Sequence, residues 1–347
     1  MKDISESRVN TFLNKFDKLL SFLLTQKGKK FSKDASLYLE KALDHMKVID
    51  DSNTADDTHS ALIEIVAGKQ FFAETLRATN ASSTPLPVLT FSIKVLSKLS
   101  DSEPRFQKSL SEFPETFVQI HENISTTFAE QAEVKQSLLH LFLSLSKFHR
   151  GRDWIWNHGL LRFVTQCLDD RAFFVKQAAQ ELTQQILFSS TANQRREIFE
   201  RLQISMRGHE SQFNSQQNQS DRLETYFSVL ENYIEKNLAE NNTDNSAIEL
   251  VSLNIEEFLM NLAQSSTNQR FLGKVCSFMV SIYAKCASEK ATENSIWKKK
   301  TLEIIQLVLK KKLMQATLVT VSKSLFYWSY LRDETEFQLD LLHIMVT

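Results

Sequence analysis

Polar and apolar positions in this chain follow a helical period almost from end to end. In residues 138–149 the apolar side chains are Leu138, Leu141, Phe142, Leu145 and Phe148. Steps of 3, 4, 7 and 10 residues from the first place them on one helix face. Leu139 and Leu143 mark a second apolar face, so this helix is expected to be covered on two sides, like the inner helix of a stack. Leu160, Leu161, Val164, Cys167 and Leu168 form the next stripe, and Val175, Ala178, Ala179, Leu182 and Ile186 the one after. Between the first two, Trp154 to Gly159 reads as a break. The same reading predicts helices over 4–25, 33–49, 57–78, 86–100, 104–121, 130–149, 154–168, 171–188, 192–206, 219–238, 246–264, 268–286, 293–311, 313–331 and 334–346. Most breaks are short, which predicts antiparallel neighbours. Three are longer: 78–87, and the polar stretches near 209–220 and 237–245, which read as mobile loops.

A weak repeat runs through the pattern. Leu96-Ser97-Lys98 is followed ten residues after the leucine by Phe106, Leu145-Ser146-Lys147 by Ile155, and Leu262-Ala263-Gln264 by Leu272. Periods near 40–47 residues belong to HEAT and armadillo arrays, in which neighbouring units bury one another's apolar faces. Composition sharpens this. The 347 residues include only 6 Gly and 4 Pro, and every Pro lies at or before Pro114. Sheets of this size need more turn residues. The expected fold class is therefore all-α, a HEAT/armadillo-like helical-repeat solenoid with 1–347 as a single array.

Charge and chemistry narrow the function less. The net charge of −1 exerts no global pull toward nucleic acid or membrane. No apolar run approaches a membrane span, and the N-terminus lacks a signal-peptide core. Cys167, Cys276 and Cys286 have no metal or disulfide spacing, which fits a reducing compartment. Cys276 and Cys286 are ten residues apart on one predicted helix, about 15 Å along its axis. His140 and His149 lie nine apart on another, His158 adjoins Gly159 as an expected cap of that junction, and no two histidines are four apart. The acidic pairs Asp50-Asp51, Asp56-Asp57 and Asp169-Asp170 are expected at helix starts or turns. No phosphate-binding loop, dinucleotide fingerprint, nucleophile elbow or H-E-x-x-H is present. The expectation is a non-enzymatic protein with no cofactor and no metal.

Two clusters stand out as candidate partner-binding residues. Lys298, Lys299 and Lys300 precede one apolar helical stretch, Lys310, Lys311 and Lys312 follow it, and Lys323 lies on the next predicted helix. Between Lys290 and Lys323 eight lysines face two glutamates. These lysines are either a solvated rim over a buried helix or a basic face for acidic peptide or nucleic acid. Tyr327, Trp328 and Tyr330 are aromatic residues too closely spaced to share one core face; they serve packing or a binding hot spot. His343 lies in an apolar terminal stretch, Leu339 to Val346, which either docks internally, continues into further chain, or binds a partner.

The order of LYLEKALDHMKV, HSALIEIVAG, PVLTFSIKVLSKLSDSEPRFQ, LLHLFLSLSKFHRGRDWIWNHGLLRFV and RAFFVKQAAQELTQQIL resembles the N-terminal part of the BRCA-associated ATM-activator family over roughly residues 35–190. The residues that carry it include Leu145, Ile155, Gly159 and Ala178. The resemblance implies a cytoplasmic and nuclear scaffold linked to DNA-damage signalling. It also implies a partner, the metallo-β-lactamase endonuclease subunit of the Integrator complex. In the family the extreme C-terminus plugs that nuclease's metal site. This chain is shorter than the longer members; His343 to Thr347 would play that part if Thr347 is the natural terminus.

Overall fold

A computed structural model describes residues 2–26, 31, 33–50, 55–77, 83–124, 126, 128, 130–210, 220–239, 259–261, 263–264, 269–289, 294–310 and 339. Among these residues the regular structure is helical throughout. The packing divides into two compact units, Met1–Gln185 and Ile186–Thr347.

The first unit opens with α1 (Lys2–Leu24), α2 (Lys33–Asp50), α3 (Ala55–Gly68) and α4 (Phe71–Leu76). Then come α5 (Leu86–Leu99), α6 (Glu103–Glu112) and α7 (Pro114–Asn123). A second set of three follows: α8 (Ala132–Leu145), α9 (His149–Asn157) and α10 (Leu161–Cys167). The starts of α8, α9 and α10 lie 46 or 47 residues after those of α5, α6 and α7. Corresponding helices stack: α2 on α5 and α5 on α8, α3 on α6 and α6 on α9, α4 on α7. Each three-helix layer thus covers the next, which makes this unit an all-α helical-repeat solenoid. The period falls in the expected range, but the register differs. Leu96 corresponds to Phe142 and Leu99 to Leu145, so the Leu96/Leu145 pairing in the sequence was about one turn out.

Four spans expected as single helices, 57–78, 104–121, 130–149 and 154–168, are divided. The span 57–78 breaks at Gln70, which adopts a left-handed conformation (φ 50°). The span 104–121 breaks at Phe113 because Pro114 brings no N–H and disfavours helical geometry at the residue before it. Phe113 takes φ −126° and ψ 47°. The last two divisions fall within 130–168. There the first helix stops at Leu145, so His140 and His149 lie on different helices, and Trp154 to Asn157 belong to α9 instead of a break. The turn is at His158–Leu160, where Gly159 has φ +64°, a value that glycine adopts freely. His158 closes the end of α9 as expected, its Nδ1–H donating to the Trp154 carbonyl at 2.8 Å.

Burial explains the patterning. All the stripe residues of 138–186 named above are buried, except Leu143 and Phe148, which are half-buried. Aromatic rings join the layers. Trp154 of α9 lies edge-on to Phe117 of α7 at 5.5 Å, and it contacts Phe106 of α6 and Phe142 of α8. Phe142 continues to Phe163 of α10. Toward the N-terminus Phe16, Phe91 and Phe71 carry the same chain of rings. Many phenylalanines therefore form a spine, and Trp154 is a structural part of it.

Residues of α11 (Phe173–Ser189) run from the first unit into the second. The second unit holds α12 (Ala192–Glu210), α13 (Ser220–Ala239), α14 (Gln269–Glu289) and α15 (Asn294–Lys310), each packed on the next. From Leu272 to Ala284 every α14 residue except Lys274 is buried, as expected of a helix covered by neighbours on all sides. Phe278 meets Phe227 of α13 at 5.5 Å. Cys276 and Cys286 both fall in α14, and Cys276 is buried. The positions 211–219 and 240–245, within the expected mobile loops, lie outside the described residues; 209–210, 220 and 237–239 are helical. Of the last two expected helices only Leu339 is described, and it is exposed.

Candidate interaction surface

Helices α5 and α8 are buried on most of their circumference and open along one narrow stripe. On α5 the stripe consists of the half-buried positions Leu86, Pro87, Thr90, Lys94, Ser97 and Lys98. On α8 it includes the exposed His140 and the half-buried Gln136, Leu143 and Ser144. Steps of three and four keep each set on one face. The stripes join from helix to helix. Lys94 of α5 reaches Glu40 of α2 at 2.6 Å, and Ser97 of α5 donates to Ser144 of α8 at 3.2 Å. Burial lowers the pKa of His140; the Glu181 carboxylate of α11 opposes that shift and the Lys94 ammonium adds to it. His140 therefore stands within electrostatic reach of α5 and α11 together. The stripe continues on α11 through Gln177, Gln180, Glu181 and Gln184.

The surface is polar through its middle and apolar at two ends. Leu37 and Tyr38 are exposed on α2, with Lys41 Nζ 5.8 Å from the Tyr38 ring centre. On α11 Phe173 and Phe174 are exposed, Phe173 by 77%. Phe173 and Phe174 are neighbours, so their two rings leave adjoining apolar surface on α11. The amide and hydroxyl groups between suit the polar backbone of a bound chain.

None of these residues was expected from the sequence to bind a partner; His140 was noted only for its spacing from His149 and Leu143 only for a second apolar face. The available signal was a run such as Val88 to Leu99, apolar except at Thr90, Lys94 and Ser97-Lys98 and at the buried Ser92. Polar residues at steps of three or four in an otherwise apolar helix mark its open edge.

The residues that were singled out sit elsewhere. Lys298, Lys299 and Lys300 lie on α15; Lys299 is exposed and the other two are half-buried. Lys300 Nζ is 3.5 Å from Glu303 Oε2. Three consecutive helical positions span more than half the circumference, so these lysines fan out instead of sharing one face. Thr301, Ile304 and Ile305 beneath them are buried. Lys310 ends α15. Lys311, Lys312, Lys323, Tyr327, Trp328, Tyr330 and His343 lie outside the described residues.

Among the described residues no group of three His, Cys, Asp or Glu side chains gathers in a metal-binding arrangement. Burial pushes the Cys167 thiol up to about 12, which keeps it protonated and inert. Glu231 is buried in α13, accepting from Ser277 Oγ at 2.7 Å with Lys274 Nζ 3.7 Å away, so the charge is held by neighbours on α14. Asp56 and Asp57 lie in the first turn of α3, and Asp170 accepts from the Ala172 N–H just before α11, as capping predicts. Asp50 instead ends α2. No described helix is long and apolar enough to cross a membrane.

No family model matches the chain, and no curated protein is detectably similar to it. Among solved structures it is similar to an engineered protein from a structural genomics consortium, at 15% identity and a TM-score of 0.41, over 78% of this chain and 96% of the other. It is also similar to a designed armadillo repeat protein in complex with a (KR)4 peptide, at 13% identity and a TM-score of 0.41, over 73% and 98%. A circular tandem repeat protein is similar at 12% identity and a TM-score of 0.32, over 97% and 95%. The architecture described above rests on its stacked layers and not on these likenesses.

Proposed function

We propose that this protein is a non-enzymatic scaffold that holds a protein partner on the stripe shared by α2, α5, α8 and α11. The observation that carries this reading is the continuity of the stripe. Glu40–Lys94 and Ser97–Ser144 join neighbouring helices, while Leu37, Tyr38, Phe173 and Phe174 leave apolar surface open at its ends. A rigid stack pre-orders such groups, so little ordering cost is left for binding. The resemblance over 35–190 supports a finer version, in which the partner is the Integrator metallo-β-lactamase endonuclease and the setting is cytoplasmic and nuclear DNA-damage signalling.

The test is co-purification from cells expressing the intact protein, beside a Lys94→Glu/His140→Glu/Gln177→Arg variant. His140 and Gln177 are exposed and Lys94 is half-buried with an ion pair to Glu40, so helix content is expected to persist and melting to fall by no more than about 5 °C. Partners captured by the parent and lost by the variant support the scaffold. Capture unchanged by the variant removes the stripe. Recovery of partners without the nuclease removes the finer version alone.

A further inference from the structure

A second feature of the first unit lies away from the stripe. His121 stands in the last turn of α7 and is exposed, and His158 caps the end of α9. Their ring centres are 5.3 Å apart with planes inclined at 72°. The fold brings them together from different layers, 37 positions apart in the chain.

We infer that His121 and His158 form a two-imidazole site for a borderline divalent cation of the zinc, nickel or copper(II) class. Three observations converge. First, His158 is oriented as metal-ligating histidines are: its Nδ1–H donates to the Trp154 carbonyl at 2.8 Å. That bond fixes the tautomer and leaves the Nε2 lone pair free to ligate. Second, the spacing is right. Two imidazoles bound through nitrogen ~2 Å from one tetrahedral ion hold their ring centres roughly 5 Å apart. Third, the His158 ring is held in place. It lies 4.8 Å from the Trp154 ring, whose own position is set by Phe106, Phe117 and Phe142. Imidazole nitrogen suits this class of ion, and water fills the remaining positions. Gly159, directly after His158, is exposed, and added side-chain bulk there would meet nothing within 4 Å, so the approach is open.

Titration of the full chain with copper(II) tests the site through tryptophan emission, because Trp154 adjoins His158. Saturable partial quenching is expected with a midpoint of roughly 10–100 µM, the range for two ligands without a closed cage. Zinc should compete for it. His121→Ala, at an exposed position with no structural bond to lose, should weaken binding at least tenfold. His158→Asn should do the same, with circular dichroism confirming the fold. His149→Ala is the control: it carries the chain's exposed His149–Asp153 pair, at 2.8 Å, and should leave the midpoint unchanged. Quenching that survives His121→Ala, or the absence of saturation below ~1 mM, overturns the assignment.

Discussion

The layers α5–α6–α7 and α8–α9–α10 have the same plan and solve the same junction differently. Each has a long helix that ends in a buried leucine and serine, Leu99-Ser100 in one and Leu145-Ser146 in the other, 46 residues apart. Each must close the carbonyls at that end. In the first layer the Leu99 carbonyl accepts from His59 Nε2–H at 3.0 Å and from Ser109 Oγ at 2.7 Å. In the second, Gly151 lets α9 press directly on the Leu145 carbonyl, while Arg152 donates to the Ser146 carbonyl at 3.1 Å. Backbone geometry and burial define the repeat, and the side chains that complete it are interchangeable in kind.

The largest effect should come from breaking the second solution. A Cβ at Gly151 would collide with the Leu145 carbonyl and the Phe148 ring, and backbone cannot yield cheaply. Gly151→Ala should cost about 2–4 kcal/mol in urea unfolding. The equivalent position in the first layer is Arg105, which is only half-buried and reaches back to Asp101 at 3.1 Å. Arg105→Ala should cost less than about 1 kcal/mol. Similar costs at both would show that the two junctions are not closed in different ways.

This is why the repeat was weak in the sequence although its elements were legible. Helical period and the shortage of turn residues both report burial, and burial is what Leu138 to Ile186 share across helices. The junctions are chemical solutions with no common residue type: His59 and Ser109 in one, Gly151 and Arg152 in the other. A one-turn error in register between Leu96 and Leu145 passes unnoticed because apolar residues recur every turn. The candidate stripe was passed over for a related reason. Lys94, Ser97, His140 and Glu181 look like ordinary surface residues until stacking leaves them as the open edge of buried helices. The lysines of 298–312 were conspicuous in composition, but placement on a helix spreads Lys298 to Lys300 around it.

The second effect tests an exchange of ionic for uncharged closure. Lys135 Nζ contacts Asp170 Oδ2 at 2.6 Å, both largely buried. Burial would raise the Asp170 pKa, but the Lys135 ammonium and the Ala172 N–H outweigh it and hold it below the usual carboxylate value. At the offset of 46 between α5 and α8 Lys135 is matched by the buried, apolar Leu89, and at the offset of 47 between α7 and α10 Asp170 is matched by the uncharged Asn123. Asp170→Asn or Lys135→Leu alone should cost about 1.5–3 kcal/mol by stranding a charge. The double variant should lie within about 1 kcal/mol of the parent. A double variant as unstable as the sum of its parts would show that the two layers do not accept the same closure. Because the folded Asp170 pKa is lowered, its contribution is complete above the unfolded value. It is lost as pH falls through the folded one.

A third prediction concerns His59, the histidine that closes the first layer. Burial lowers its pKa, and the Leu99 carbonyl only partly offsets this. The folded protein thus keeps the ring neutral where the unfolded chain takes up a proton. Stability should fall as pH drops below the unfolded value near 6.5, by at most about 1.4 kcal/mol per pH unit, and level off below the folded value. His59→Gln should reduce that slope between pH 6.5 and 5, leaving the part that His140 of the second layer, whose pKa burial also lowers, contributes. An unaltered slope would place the titrating group elsewhere.

The smallest effect is a change of sign between equivalent serines. Ser146 Oγ donates to the Leu143 carbonyl at 2.8 Å, so Ser146→Ala removes a buried bond and should cost about 1 kcal/mol. Ser100 Oγ is equally buried but has no partner among the described residues. Its hydroxyl has given up water for nothing, so Ser100→Ala should be neutral or stabilising by up to about 1 kcal/mol. The two substitutions delete the same atom from the same place in successive layers. If the shared backbone governed the energetics, they would agree; if local closure governs, chemical denaturation should separate them by about 1–2 kcal/mol. The stacked plan fixes where a group is buried, and each layer's own neighbours fix whether that burial stabilises.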